Sequence, residues 1–175
     1  MDQPAPIAPH LSALQEFYQG EVLGEAMFDL MLESVHTDAE RYTIELMLQL
    51  ETETKARLRP VLAAQGLSLR EDPAMRSSGE QFARALATVS WAEKMIALHR
   101  SVAEVYLPRY RDLTGTLPEA LRAVGDSMVE HEQALVDMTW RELNGQSDRS
   151  DGPVLRLLRH PLPRPLPPPG RAGAR

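Results

Sequence analysis

The residues of this chain best suited to chemistry are carboxylates and a histidine that interrupt otherwise apolar stripes. At steps of three and four, one stretch reads Leu14, Tyr18, Glu21, Glu25, Phe28, Leu32, and a second reads Met47, Glu51, Thr54, Leu58, Val61. A third reads Phe82, Leu86, Val89, Glu93, Ile96, Arg100, Ala103, Leu107. A fourth reads Leu117, Leu121, Val124, Met128, His131, Leu135, Met138, with Glu132 beside it. A carboxylate is costly to bury unless it is paired or holds a metal. One ionisable residue near the middle of each stripe points to a shared polar site. Carboxylates with a histidine are the ligand set of iron, manganese or zinc. The same residues also suit a buried ion-pair network, with Arg100 as the cation facing Glu93 and Glu51. A third reading places them at boundary positions facing solvent.

Other chemistries find no residues to carry them. There is no cysteine, which excludes disulfides, iron–sulfur clusters and thiol nucleophiles. No Ser-His-Asp pattern or glycine-rich phosphate loop is visible. His131-Glu132 does not begin a zinc-protease motif, because Leu135 stands where the second histidine belongs. His10, His36 and His160 fall at helix ends or in the tail, where solvent is the expected neighbour. His99 lies one position off its stripe, in line with Met95, Val102 and Tyr106. Tyr18, one turn before Glu21, suits a core tyrosine or a partner for the carboxylate.

Four long helices must position these groups. The first is expected over about Ala13 to Val35, with Ser12 and Gln15 in a capping-box pattern. The second runs from Asp38 to Gln65 behind Thr37 and Glu40, closed by Gly66 and loosened at Pro60. The third spans Ser78 to Leu113 behind Ser77 and Glu80, kinked at Pro108. The fourth spans Leu117 to Asn144 behind Thr116 and Glu119, and Gly145 ends it. No segment shows the alternation of a strand. Gly20, Gly24, Met27 and Met31 form a strip that lets another helix approach the first closely.

The short first and last connections make antiparallel hairpins. The middle one, residues 66–77, extends to about 40 Å, close to the roughly 42 Å of a 28-residue helix. It can therefore cross the bundle and leave the second and third helices parallel. The expected organisation is an extended lead-in over 1–11, an all-α antiparallel four-helix bundle over 12–146, and a tail over 147–175. The tail holds seven of the 14 prolines, and residues 149–175 carry six arginines against the single acid Asp151. Val154 to Leu158 is expected as a short docked turn, and the chain from Pro161 as polyproline-like or disordered.

Net charge is −6, and residues 1–148 alone carry −11. An acidic body argues against a nucleic-acid partner. The N-terminus lacks a signal-peptide pattern and no apolar run reaches transmembrane length, so a cytoplasmic protein with no membrane contact is expected.

Three stretches carry a family resemblance: FYQGEVLGEAMFDLMLE, ERYTIELMLQLETETKARLRPVLAAQGL and VEHEQALVDMTWREL. They resemble the ferritin-like superfamily, in particular its small bacterial members, with a looser likeness to the tRNA-hydroxylase-like di-iron branch. Di-iron members place a Glu on the first and third helices and a Glu-x-x-His on the second and fourth. Carried over, the first helix offers Glu21 or Glu25 and the third offers Glu93. The second matches at Glu51, with Thr54 at the histidine position. The fourth matches at His131, with Met128 three residues before it. The shifted register Glu130–Gln133 restores the carboxylate and loses the histidine.

The resemblance thus implies a homodimeric ferritin-like bundle with iron or manganese, as a pair or a single ion, activating dioxygen or peroxide. Glu21, Glu25, Glu51, Glu93, His131 and Glu132 are its expected ligands. The competing reading is a metal-free bundle that binds an apolar ligand or a partner.

Overall fold

A computed structural model gives the structure of residues 8–165. The described chain is helical, with no strand among the described residues. None of its helices is long and apolar enough to cross a membrane.

Helix α1 spans Pro9–Met31 and passes into a 3₁₀ turn at Leu32–Ser34. It starts earlier than expected because Pro9 sits at its first position, where a missing N–H costs nothing. The Ser12–Gln15 box is therefore inside the helix and caps nothing, and residues 9–11 are helical rather than lead-in. Residues 1–7 lie outside the described part. Helix α2 spans Asp38–Ala64 behind a complete capping box. The Thr37 hydroxyl accepts from the Glu40 N–H at 3.1 Å, and the Glu40 carboxylate accepts from the Thr37 N–H at 3.2 Å. It runs on through Pro60, which is exposed, and ends before Gly66, whose φ of +69° suits glycine.

The expected third helix is instead three helices. Helix α3 spans Pro73–Ala85, capped by Asp72 rather than Ser77, and packs along α1. After a turn, α4 spans Trp91–Ser101, a π-helical turn covers Val102–Tyr106, and α5 spans Leu107–Gly115. The break has a local cause. Thr88 and Val89 are weak helix formers, and Ser90 with Glu93 makes a complete capping box that restarts the helix. The crossover is not a bare loop. Tyr18 and Gln19 of α1 donate to the Leu69 and Arg70 carbonyls at 3.0 and 2.9 Å, and α3 then follows α1.

Helix α6 spans Glu119–Leu143 and packs on α4, the π turn and α5. Pro118, not Thr116, is its N-cap, and Gly145 at φ +69° follows its end. The chain then makes a 3₁₀ turn at Ser147–Arg149 and a short helix α7 at Gly152–Leu155. The docked turn expected at Val154–Leu158 is present, and the contacts run on to Arg164, into the stretch from Pro161 expected as disordered. Val154 and Leu158 are buried, Glu53 accepts from the Arg159 N–H at 2.7 Å, and Arg164 pairs with the buried Asp151. Burying two aliphatic side chains stabilises this docking by about 3 to 6 kcal/mol before ordering costs. The remainder of the tail, residues 166–175, lies outside the described residues.

The core falls into two apolar clusters. One holds Phe28, Met31, Met47, Leu50, Met95, Leu98 and Met138; the other holds Leu14, Phe17, Leu58, Leu62, Tyr110 and Met128. On α1, α2 and α6 the same kind of residue separates them: Glu21, then Glu51 and Thr54, then His131 and Glu132.

Candidate metal centre

At the junction of the two clusters, Glu21, Glu51, His131 and Glu132 are all buried, with no more than 5% of any residue exposed. Three helices supply them. His131 Nε2 lies 3.2 Å from Glu51 Oε1, and His131 Nδ1 lies 3.6 Å from Glu21 Oε2. Ligand atoms of Glu21, His131 and Glu132 all fall within 4.8 Å of one another.

Thr54, at the position where the resemblance wanted a histidine, sets the orientation of His131. Its hydroxyl lies 3.1 Å from Nδ1 and accepts from Arg57 Nη2 at 2.7 Å. Arg57 can only donate, so the threonine hydrogen is free to point at Nδ1. The neutral ring then carries its proton on Nε2, toward Glu51. When Nδ1 is protonated instead, the same hydroxyl accepts from it. Thr54 thus holds the ring in either state, and the second, with Nδ1–H donating to Thr54, leaves Nε2 free as a metal ligand would need.

Gly24 makes room for Glu51. A Cβ at that position would lie 2.5 Å from the Glu51 Cδ, so only glycine lets the carboxylate rest against α1. Gly20 does the same for the Tyr110 ring, and Gly79 of α3 lies against the α1 backbone at Leu23 and Met27. The strip foreseen on α1 is therefore shared among three partners.

The electrostatics of the cluster are those of an uncompensated site. Burial, with the charges of Glu51 and Glu132 added, pushes the Glu21 carboxyl well above the usual carboxylate range. Burial pushes Glu132 up to about 8; His131 counters it and Glu51 adds to it. Burial disfavours the His131 cation, but Glu51 and Glu132 outweigh it and raise its pKa. Glu21 Oε2 is buried without a hydrogen-bond partner among the described residues. No lysine or arginine pairs with the cluster among those residues; Arg57 donates to Thr54, and its charge lowers the Glu21 and His131 values without outweighing the other causes.

Such a set fits a metal. An orphaned carboxylate oxygen, the ligand atoms of Glu21, His131 and Glu132 in one small volume, Glu51 against the imidazole, and a ring oriented by Thr54 suit one divalent first-row ion. They do not fit a pair of ions, because the other two expected ligands are elsewhere. Glu25 is drawn away by Lys55, to which it is ion-paired, and by Thr52, which donates to it at 2.8 Å. Glu93 is exposed and spent in the α4 capping box, where hydrogen bonds from the Ser90 hydroxyl and N–H hold its carboxyl below the usual range. Arg100 is exposed as well and pairs with Glu104 at 3.4 Å, so it is not the cation of a buried network.

The structure adds two residues that the stripes did not single out, Tyr106 and Tyr110. Tyr110 is buried edge-on against Phe17, with ring centroids 4.9 Å apart, and Tyr106 lies beside it at 6.3 Å. Burial first, and then the charge of Glu132, raises both phenol pKa values. Their i, i+4 spacing was visible, but the phase that aims them inward was not. His99 turns to α6 instead, with Nδ1 3.0 Å from the Thr139 hydroxyl.

Compared with protein-family models, curated proteins and solved structures, the chain matches none.

Proposed function

We propose that this chain is a ferritin-like bundle that holds one divalent iron or manganese ion and serves as an oxidase- or oxygenase-type redox protein. Glu21, Glu51, His131 and Glu132 would hold the ion. The observation that carries the reading is three buried carboxylates around one imidazole with no cation inside the cluster among the described residues. A bound ion of this kind supplies activation of dioxygen or peroxide.

The chain's own residues do the rest. Thr54 fixes the His131 ring, and Gly24 lets Glu51 reach the cluster. The apolar clusters on either side keep bulk water out, which strengthens every interaction between the carboxylates and a cation. Tyr106 and Tyr110 wall the cluster on the side where α5 meets α1. Four protein donors leave coordination positions for exogenous molecules, the arrangement expected of a reactive rather than a structural site.

The test is metal analysis of protein expressed in medium supplemented with iron and manganese. About one equivalent is expected, since the deprotonated ligand set binds most tightly at neutral pH and above. Glu51→Ala should abolish uptake while the far-ultraviolet circular dichroism stays helical. A folded protein holding less than about a tenth of an equivalent of any transition metal would overturn the reading.

A further inference from the structure

A cavity of about 230 Å³ opens between α1, α3 and the α4–π segment and ends at the carboxylate cluster. Glu51 and Glu132 line its inner end, and both are buried. Met27, Phe28, Phe82, Leu98 and Leu135 form its walls. Ser78, which is exposed, and Ser101, which is half-buried, mark its outer end. Glu132 is 5% exposed, and no hydrogen bond from a described residue reaches its carboxylate. The cavity thus ends in a buried carboxyl with no hydrogen-bond partner among the described residues.

We infer that this cavity is a binding site for small aromatic molecules bearing an N–H or O–H donor, and that it excludes carboxylates of the same shape. The inference rests on the proposed function in taking the cavity as the substrate site of the same centre. Three observations fix the class. Size comes first: an apolar cavity of about 150 Å³ takes benzene, so in proportion this one takes about nine heavy atoms. The walls come second: two phenylalanines, a methionine and the Tyr106 and Tyr110 rings suit an aromatic body. Charge comes third: no lysine, arginine or histidine among the described residues lines the cavity. An anionic head therefore finds no partner in the lining and meets the Glu51 and Glu132 carboxyls at the inner end. A donor head, in contrast, gives Glu132 the hydrogen bond it lacks.

The probes are 2-phenylethylamine, 2-phenylethanol, ethylbenzene and phenylacetate, titrated calorimetrically into the full chain, both chelator-treated and manganese-loaded. The amine and the alcohol should bind, ethylbenzene more weakly, and phenylacetate at least about tenfold more weakly than the amine. Phenylacetate binding as tightly as the amine, or none of the four binding, overturns the inference. Ser101→Phe, which fills the outer end, should weaken the amine and the alcohol by at least about tenfold and leave manganese uptake unchanged. Should that variant not fold, methionine-methyl spectra of the unmodified chain decide. The Met27 resonance should shift on adding 2-phenylethanol and that of Met75, which is outside the cavity, should not. A bound probe that leaves Met27 unmoved overturns the site. Probe binding without metal uptake sinks the proposed function and leaves the cavity assignment standing; metal uptake without probe binding does the reverse.

Discussion

Two acidic groups lie one helical turn apart in this molecule and behave in opposite ways. Glu21 on α1 and Glu51 on α2 join His131 and Glu132 in a cluster with no internal lysine or arginine among the described residues. Four residues further along each helix, Glu25 and Lys55 pair with each other. Lys55 also bonds Glu71 at 2.7 Å, and Arg76 bonds Glu71 at 2.9 Å. Burial works against the Lys55 charge, but Glu25 and Glu71 outweigh it and raise its pKa. Hydrogen bonds from Lys55 and Arg76 hold Glu71 below the usual range. One group is therefore neutralised by the chain itself and ties α1, α2 and the crossover together. The other has no such cation paired within it among the described residues. Sequence position alone does not separate them; the presence of a lysine at 55 and of glycine at 24 does.

The sharpest test of this contrast is pH. Raised carboxyl pKa values at Glu21 and Glu132 mean that the folded chain binds more protons than the unfolded chain between the ordinary value, 4.5, and the folded one, about 8 for Glu132. Stability of the metal-free protein should therefore fall as pH rises through that window. The raised His131 value acts in the same direction, its contribution being present below the ordinary 6.5 and lost as pH passes its folded value. Glu132 alone accounts for on the order of 4 kcal/mol. Metal-free protein should melt several degrees higher at pH 5.5 than at pH 8 (roughly 2 to 4 °C for each kcal/mol at this chain length). Saturating manganese should flatten or invert the trend, because the ion requires the deprotonated ligands. A melting temperature that rises from pH 5.5 to 8 in the stripped protein would mean that the cluster is compensated after all.

The second test removes the compensation from the other group. Lys55→Met keeps the aliphatic bulk and leaves Glu25 and Glu71 facing each other. Lys55 is buried but Glu25 and Glu71 are partly open, so the cost is about 2 to 3 kcal/mol, below that of a fully buried pair. Urea unfolding should show the lower midpoint, while manganese stoichiometry stays the same. Loss of manganese in this variant would join the two groups into a single network.

Gly24→Ala bears on the first group alone. The added methyl displaces the Glu51 carboxylate, the far end of a flexible side chain, so the helix tolerates it. Alanine also favours α1 by up to about 1 kcal/mol over glycine. The expected outcome is a fold as stable as before, or more so, with manganese affinity lower by about 10- to 100-fold in calorimetry. Unchanged affinity would place Glu51 outside the ligand set.

How far the sequence could reach depends on where helical phase is kept. On α1, α2 and α6 it is continuous, and the stripes found Glu21, Glu51 and His131, with Glu132 beside them. On the third stretch two events reset it. The chain stops at Ala85 and restarts at Ser90, and the π turn at Val102–Tyr106 inserts extra residues before α5. A stripe drawn at one period from Phe82 is therefore thrown by the break onto Glu93, Ile96 and Arg100, all of which are exposed, and the π turn resets the phase once more before Tyr110. The inward line is Met95, Leu98 and Val102, which leads to Tyr106 and Tyr110. Glu25 escaped for a different reason. It lies on a continuous stripe, but its partner Lys55 belongs to another helix, and single-helix periodicity carries no information about that pairing.

The restart at Ser90 supplies the smallest of these effects and the cleanest control. If Glu93 belongs only to the capping box, then Ser90→Ala removes the hydroxyl that accepts from the Glu93 N–H and costs about 1 kcal/mol. Glu93→Ala frees the Ser90 N–H to water and should leave manganese stoichiometry and affinity untouched. Neither Ser90 nor Glu93 lines the cavity, which begins on this helix at Leu98, so both variants should also bind 2-phenylethanol as the unmodified chain does. A shift in manganese affinity in Glu93→Ala would return this carboxylate to the ligand set. The α3–α4 break would then have to close, and the division between a compensated and an uncompensated group would have to be redrawn around a third-helix ligand.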